Sequence, residues 1–256
     1  MLPITFVIPV GSNEVYKTCF LASPLFKKYP GWQIIAQEGF RSASHAYNDA
    51  IEKAENDIVV FAHQDVVFPI NWAERFLQEF YKIEGSERNV GVVGCIGITK
   101  EGNKAGHIYR HDREFFPSHP LPAQVETLDE LLVCFRKSSS LRFDVNLPSF
   151  FFYGVDICLQ SDAMGYKNFA VNAPCFHQAK NRAGLPKEFY ESWDFIVNKW
   201  RDRLPVQSLS GPITGNRQLF IQKYKSHILN IIGQSENPWW HKLPKAKVEA
   251  ILYDDE

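Results

Sequence analysis

No stretch of this chain approaches the ~20 consecutive apolar residues that a membrane-spanning helix needs. The first ten residues, Met1 to Val10, lack the basic region of a secretory leader and are interrupted by Pro3 and Pro9, which predicts a strand there. An excess of charge of one sign is also missing. The 28 Lys and Arg stand against 29 Asp and Glu, for a net charge of −1, so nothing pulls the chain as a whole toward nucleic acid or an anionic bilayer. Any phosphate binding must be local. Cysteine is sparse and unpatterned: Cys19, Cys95, Cys134, Cys158 and Cys175 are odd in number and have neither zinc spacing nor a disulfide framework. Those inside apolar runs read as buried thiols of a reducing compartment, and a cytoplasmic location is the expectation. Internal repeats and low-complexity tracts are absent. What is present is 256 residues, 45% of them apolar, enough for one large α/β domain with an appendage.

The first half of the chain alternates strand and helix signals. Strands are expected over 4–10, 33–36, 57–62 and 90–98, and helices over 14–29 with a break at Pro24, over 44–54 and over 70–82. Such alternation predicts a mostly parallel sheet flanked by helices. The segment 100–124, rich in Gly, His, Pro and charge, reads as a long loop or hairpin, a kind of segment that often forms binding surfaces. Order returns over 125–136, a helix spans 154–164 with Gly165 at its C′ position, and Tyr166 to Val171 reads as a last strand. Beyond a basic, Gly/Pro-punctuated linker near residue 180, helices are expected near 188–203 and 216–232. Residues 1–180 are therefore assigned to the main domain and 181–256 to a helical C-terminal extension. The aromatic tail at Trp239-Trp240 is expected to dock on its own domain, with a partner or the periphery of a membrane as alternatives.

The segment from Asp57 to Pro69 is the most informative one. An apolar, β-branched run buried on both faces ends in His63-Gln64-Asp65, which puts a polar triplet at the carboxyl edge of a parallel sheet, where ligands bind. Two readings of Asp65 stand: a ligand for a divalent cation that holds phosphates, or the cap of the helix that follows.

Six pieces set this triplet in a wider pattern. They are Phe6 to Val10, Ala46-Tyr47-Asn48-Asp49 with the helix that follows, His63-Gln64-Asp65, Phe143-Asp144, Tyr153-Gly154-Val155-Asp156, and Cys175-Phe176-His177. In order and spacing they resemble family 2-like glycosyltransferases of the GT-A, Rossmann-like fold, over roughly residues 4 to 180. The likeness is to a bacterial subgroup with His-Gln-Asp in place of Asp-X-Asp. It implies transfer of a sugar from a nucleoside-diphosphate donor, UDP-linked in preference to GDP-linked, to a hydroxyl of a glycan or other acceptor, assisted by Mn²⁺ or Mg²⁺, in glycan or polysaccharide assembly.

The resemblance also implies roles for residues. Asp65 is the first metal ligand and His177 the second, the alternative for His177 being a satisfied, partly buried histidine. The mixed imidazole and carboxylate set suits Mn²⁺ better than Mg²⁺. The nucleotide is expected over Pro9, Val10 and Glu14 after the first strand, Glu38 after the second, and Asn48 on the helix that in the family faces the nucleotide. His63 and Gln64 stand near ribose or diphosphate, and Lys180 and Arg182 could supply a cation that Tyr47 does not. The pattern departs at the base: the family's usual carboxylate position is Gly154. Asp156 could take over deprotonation of the acceptor, or it could cap its helix and orient neighbours; Asp129 is a further catalytic candidate, with Glu130 beside it. Asp144 reads as a turn residue. The run Phe150 to Tyr153 is either core or a stacking platform for a sugar. A non-catalytic nucleotide-sugar or glycan-binding protein is the alternative that Gly154 keeps open. A nucleotidyltransferase would show Arg or Lys in a Gly-rich loop after the first strand, and Gly11-Ser12-Asn13-Glu14 has neither.

Overall fold

The computed structural model describes residues 2–117, 119–178, 185–231 and 240–254. The chain opens with β1 (Ile4–Pro9), the short helices α1 (Asn13–Val15) and α2 (Pro24–Lys28), and β2 (Gln33–Gln37). Pro24 occupies the first position of α2, where its missing N–H is no loss, and this is the expected break in the 14–29 region. Helix α3 (Ala43–Lys53), strand β3 (Ile58–Ala62), the short β4 (Val66–Val67) and helix α4 (Trp72–Ser86) follow. The cap of α4 is Asn71, so Asp65 is not the residue that starts that helix.

The strand expected over 90–98 is two strands, β5 (Val90–Gly94) and β6 (Ile96–Ile98), which belong to different sheets. The chain turns between them at Cys95, whose carbonyl accepts from His107 N–H at 2.8 Å. The segment expected as a loop or hairpin forms β7 (Lys104–Gly106), β8 (Ile108–Arg110) and β9 (Arg113–Phe115), with β8 and β9 an antiparallel hairpin. Next come β10 (Ala123–Val125), β11 (Thr127–Leu128), β12 (Leu132–Arg136), α5 (Tyr153–Ala163), β13 (Lys167–Ala170) and β14 (Phe176–His177). Helices α6 (Lys187–Lys199) and α7 (Arg217–Ile231) lie where helices are expected near 188–203 and 216–232. They are followed by β15 (Trp240–Lys242) and α8 (Lys245–Tyr253), which the sequence pattern does not foreshadow, and β13 is therefore not the last strand.

Among the described residues the main sheet has seven strands in the order β10-β13-β5-β12-β3-β1-β2. Five of them, β2, β1, β3, β5 and β13, run one way, and β12 and β10 oppose them. This is the mostly parallel α/β sheet that the alternating signals imply. All five residues of β3 are buried because both faces are covered. Val59 and Phe61 enter one core with α3, α5 and α6, while Ile58, Val60 and Ala62 enter the other with α4. The extension packs on these cores through Phe189, Trp193, Ile196 and Phe220. Trp240 is buried, its strand β15 pairing with β9, so this part of the tail docks on its own domain. Trp239 and the 180/181 boundary lie outside the described residues. A second sheet, β15-β9-β8-β14-β4, stands beyond the carboxyl end of β3 and walls the site.

Candidate active site

A cavity of about 1710 Å³ opens at the carboxyl edge of β1, β2 and β3. Strand β3 ends at Ala62, and a tight turn, with Val66 N–H donating to His63 carbonyl at 3.2 Å, carries the chain into β4. That turn holds His63, Gln64 and Asp65 at the cavity wall. Strand β14 lies antiparallel to β4, and Gln178 N–H donates to Asp65 carbonyl at 2.8 Å, which fixes His177 beside Asp65. The two residues named from the sequence as metal ligands are thus neighbours in space.

Side-chain nitrogens of His63 and His177 and a carboxylate oxygen of Asp65 lie within 4.8 Å of one another. Asp65 Oδ1 is 3.5 Å from His177 Nε2 and 3.9 Å from His63 Nδ1. It is buried and makes no well-formed hydrogen bond, with His177 Nε2 at the limit of hydrogen-bond distance and His63 Nδ1 beyond it. A buried carboxylate oxygen without a donor, faced by two imidazoles, fits a divalent cation of the Mn²⁺ type. Burial works against the charge of Asp65, but the facing His177 and His63 outweigh it and hold the carboxyl down at about 2. The oxygen is therefore an anion, ready to ligate, at any ordinary pH.

The remaining expectations divide. Pro9, Val10 and Glu14 line the cavity beyond β1. Gln64 does so too, and its Oε1 accepts from the N–H groups of Gly11 (3.0 Å) and Ser12 (2.9 Å), so it fixes the loop after β1 to the end of β3. Glu38 is exposed and does not line the cavity; Gln37 does, with its amide committed to Ala46 carbonyl and Asp49. Asn48 is a clamp that donates to Phe143 carbonyl at 2.7 Å and accepts from Phe143 N–H at 3.0 Å, away from the cavity. Lys180 and Arg182 lie outside the described residues.

Asp156 does not reach the cavity either. It is 2% exposed, pairs with Lys199 at 2.8 Å and accepts from Trp200 Nε1 at 2.8 Å and Gln160 Nε2 at 2.8 Å. Burial pushes its carboxyl up, against the pull of Lys199 and Trp200. The cap of α5 is Phe152, so Asp156 neither caps the helix nor faces the site; it ties α5 to α6. Asp144 is the turn residue expected of it, accepting from Asn146 N–H at 2.9 Å, and it also meets Lys199 at 2.7 Å.

Asp129 and Glu130 do line the cavity. Asp129 accepts from Leu131 N–H at 2.9 Å. Glu130 faces the amides that open α5, those of Phe152, Tyr153 and Gly154, yet burial, seconded by Asp129, raises its carboxyl well above the ordinary range. Its Oε1 has no hydrogen-bond partner. Gly154 is a glycine for a steric reason: a Cβ there would stand 2.9 Å from Leu128 carbonyl oxygen and 3.1 Å from Glu130 Cγ. Position 154 has no room for a carboxylate, and Glu130 fills the space beside it.

The aromatic run is both core and wall. Phe152 and Tyr153 are buried, and Phe150 is exposed, yet all of Phe150 to Tyr153 border the cavity. Arg110 and Lys104 also line it, and neither is named from the sequence. Arg110 lies in the run Tyr109 to Asp112, which has no periodicity to show which side chains turn inward. Strand register alone reveals it.

A parallel-rich α/β sheet with its cavity beyond the carboxyl ends of the strands has the arrangement in which open α/β folds bind ligands. The chain belongs to the glycosyltransferase like family, whose model matches residues 5–192. The match supports a transferase acting on glycosyl groups. A curated relative, "ATP synthase subunits region ORF 6" of Fuscovulum blasticum, is 21% identical over 172 residues, covering 64% of this chain and 67% of its own length. Two solved structures are similar at a lower level. One is the mannosyltransferase PcManGT from Pyrobaculum calidifontis in complex with GDP-Man and Mn²⁺, at 13% identity and TM-score 0.48, covering 97% of this chain and 79% of its own. The other is A197 from STIV, at 14% identity and TM-score 0.40, covering 72% and 98%. At these scores neither bears on the chemistry of this chain. Among the described residues no helix is long and apolar enough to cross a membrane.

Proposed function

We propose that the chain transfers a glycosyl group from a nucleoside-diphosphate sugar to a hydroxyl of a glycan or other acceptor, with a divalent cation, as a step in glycan or polysaccharide assembly. The observation that carries this reading is the orphaned Asp65 Oδ1 between His63 and His177, at the strand edge of a chain in a glycosyltransferase like family. Asp65 and His177, with His63 alongside, would hold Mn²⁺ or Mg²⁺. When bound, the ion supplies Lewis-acid stabilisation of the negative charge that forms on the departing diphosphate.

The protein's own groups do the rest. Gln64 holds Gly11 and Ser12 so that the loop after β1 offers a fixed edge to the nucleotide, with Glu14 lining the same cavity. The bond from the anomeric carbon to the diphosphate oxygen breaks and its electron pair leaves with the diphosphate. A bond from the acceptor oxygen to the same carbon forms, and the acceptor's proton passes to a carboxylate. Asp129 and Glu130 are the carboxylates at the cavity wall, and Asp156 is not in contact with it.

Calorimetric titration of UDP- and GDP-sugars, with and without Mn²⁺, tests the reading. Binding of one donor class that requires the ion is expected, and Asp65→Ala should weaken it at least tenfold. No binding of any donor, or an Asp65→Ala variant of unchanged affinity, refutes the site. Binding with no sugar release in the presence of acceptors would make the chain a nucleotide-sugar-binding protein, the alternative that Gly154 keeps open.

A further inference from the structure

The five-stranded sheet beside the cavity has two unlike faces, and its register says which side chains share each. His177 on β14 is the lateral partner of Arg110 on β8. Arg110 in turn partners Arg113 on β9, and Arg113 partners Lys242 on β15. Lateral partners in a sheet project from the same face. One row therefore runs Lys242, Arg113, Arg110, His177, four nitrogen side chains on one face. The alternate row, with Tyr109, Phe176 and Val67, projects from the other face, where Leu243, Val248, Ile251 and Leu252 cover it. Ile108, Arg110, Phe115, His177 and Trp240 all border the cavity, which identifies the first face as the one turned to the site.

Arg110 is the member of this row next to the metal cluster. Its Cα is one strand spacing, about 4.8 Å, from that of His177, and its guanidinium interacts electrostatically with Asp65. Half-buried in the cavity wall, this cation favours an anion placed against it.

We infer that Arg110 binds the diphosphate of the donor and of the departing nucleoside diphosphate, as a second cation beside the metal cluster. The inference rests on the donor assignment above and goes beyond it in naming which protein cation meets the phosphates. The charges agree. With a divalent ion bound, Asp65 and Arg110 cancel, and the ion's two charges match the roughly two negative charges of an esterified diphosphate. When the sugar leaves, one more negative charge develops on the phosphate, and a guanidinium fork is suited to meet it with paired N–H donors. The family resemblance puts a cation on Lys180 and Arg182, which lie outside the described residues; Arg110 offers one from a strand.

The test is titration of UDP, GDP and inorganic diphosphate into wild-type protein and the variants Arg110→Met, Arg110→Lys and Arg113→Ala, each with Mn²⁺ and with EDTA, alongside uridine and guanosine. Arg110→Met keeps the aliphatic stem, and thermal melting checks that it folds. The expected result is a loss of diphosphate affinity of about ten- to a hundredfold in Arg110→Met, the range of one charge-assisted contact. Part of it should return in Arg110→Lys, and Arg113→Ala should show no change. Nucleoside and Mn²⁺ affinities should stay as in wild type, and the loss should persist in EDTA, where the ion cannot account for it. Diphosphate affinity unchanged in Arg110→Met, or an equal loss for the bare nucleosides, overturns the inference while leaving the donor assignment intact. A wild-type protein that binds no diphosphate with Mn²⁺ overturns both.

Discussion

Replacing Asp156 by alanine separates chemistry from architecture at a carboxylate that the sequence leaves open between a base and an orienting residue. In the fold this side chain is 2% exposed and gathers Lys199, Trp200 Nε1 and Gln160 Nε2 around it. Breaking a buried ion pair from one side typically costs about 3–5 kcal/mol, because the partner charge is left in the interior. Here Lys199 keeps Asp144 at 2.7 Å and its side chain is 22% exposed, so the lower end applies. A loss of about 3 kcal/mol in a chain of this size lowers Tm by about 6–12 °C, at roughly 2–4 °C per kcal/mol. Differential scanning calorimetry reads the shift. Donor titration well below both melting temperatures should give an affinity within about twofold of wild type, since Asp156 does not border the cavity. Asp156→Asn still offers Trp200 an acceptor oxygen and should fall between the two. An unshifted Tm with loss of transfer would return Asp156 to the reacting atoms and refute this reasoning; an unshifted Tm with intact transfer would refute the network's energetic role.

Two further substitutions probe the neighbouring wall. Gly154→Ala sets a helix-propensity gain of at most about 1 kcal/mol against overpacking of about 1–3 kcal/mol, since its Cβ meets a backbone carbonyl at 2.9 Å. Tm should fall, by up to about 8 °C if the full propensity gain is realised, and a rise would show that the position has room. Glu130→Gln tests a sign. The folded state holds this carboxyl above its unfolded value, so wild type loses stability as pH rises from about 4.3, where the unfolded chain ionises, toward the raised folded value. The variant lacks that loss. It should melt with wild type near pH 4 and above it by an increasing margin toward neutrality, and a constant margin across the range would contradict the shift.

The alternation of strand and helix, and the polar triplet at the end of β3, were legible because a strand buried on both faces has no other reading at that length. Asp65 and His177 could be paired only through the family resemblance, since 112 residues of chain, from 65 to 177, separate them. What stayed hidden was set by register and by committed hydrogen bonds. Asn48 has the composition of a ligand-binding residue, but both ends of its amide are spent on Phe143. Glu38 lost its expected place because β2 turns Gln37 inward and leaves Glu38 in solvent. Arg110 sits in a run of polar residues in which two opposite faces look alike until β8, β9 and β14 are paired.

The backbone bond from Gln178 to Asp65 has a thermodynamic consequence for the cation. Bringing His177 to Asp65 closes a loop whose length-dependent entropy is about 4 kcal/mol for a free chain of that span. In this fold the pairing of β4 with β14 bears that cost during folding, before any ion arrives. A cation entering the cluster would meet ligands already side by side, so its affinity would report the three side chains and not the ordering of more than two-fifths of the chain. An ion held only by the folded chain would still raise the melting temperature by mass action, so stripping it should lower Tm by that binding contribution while the sheet stays folded.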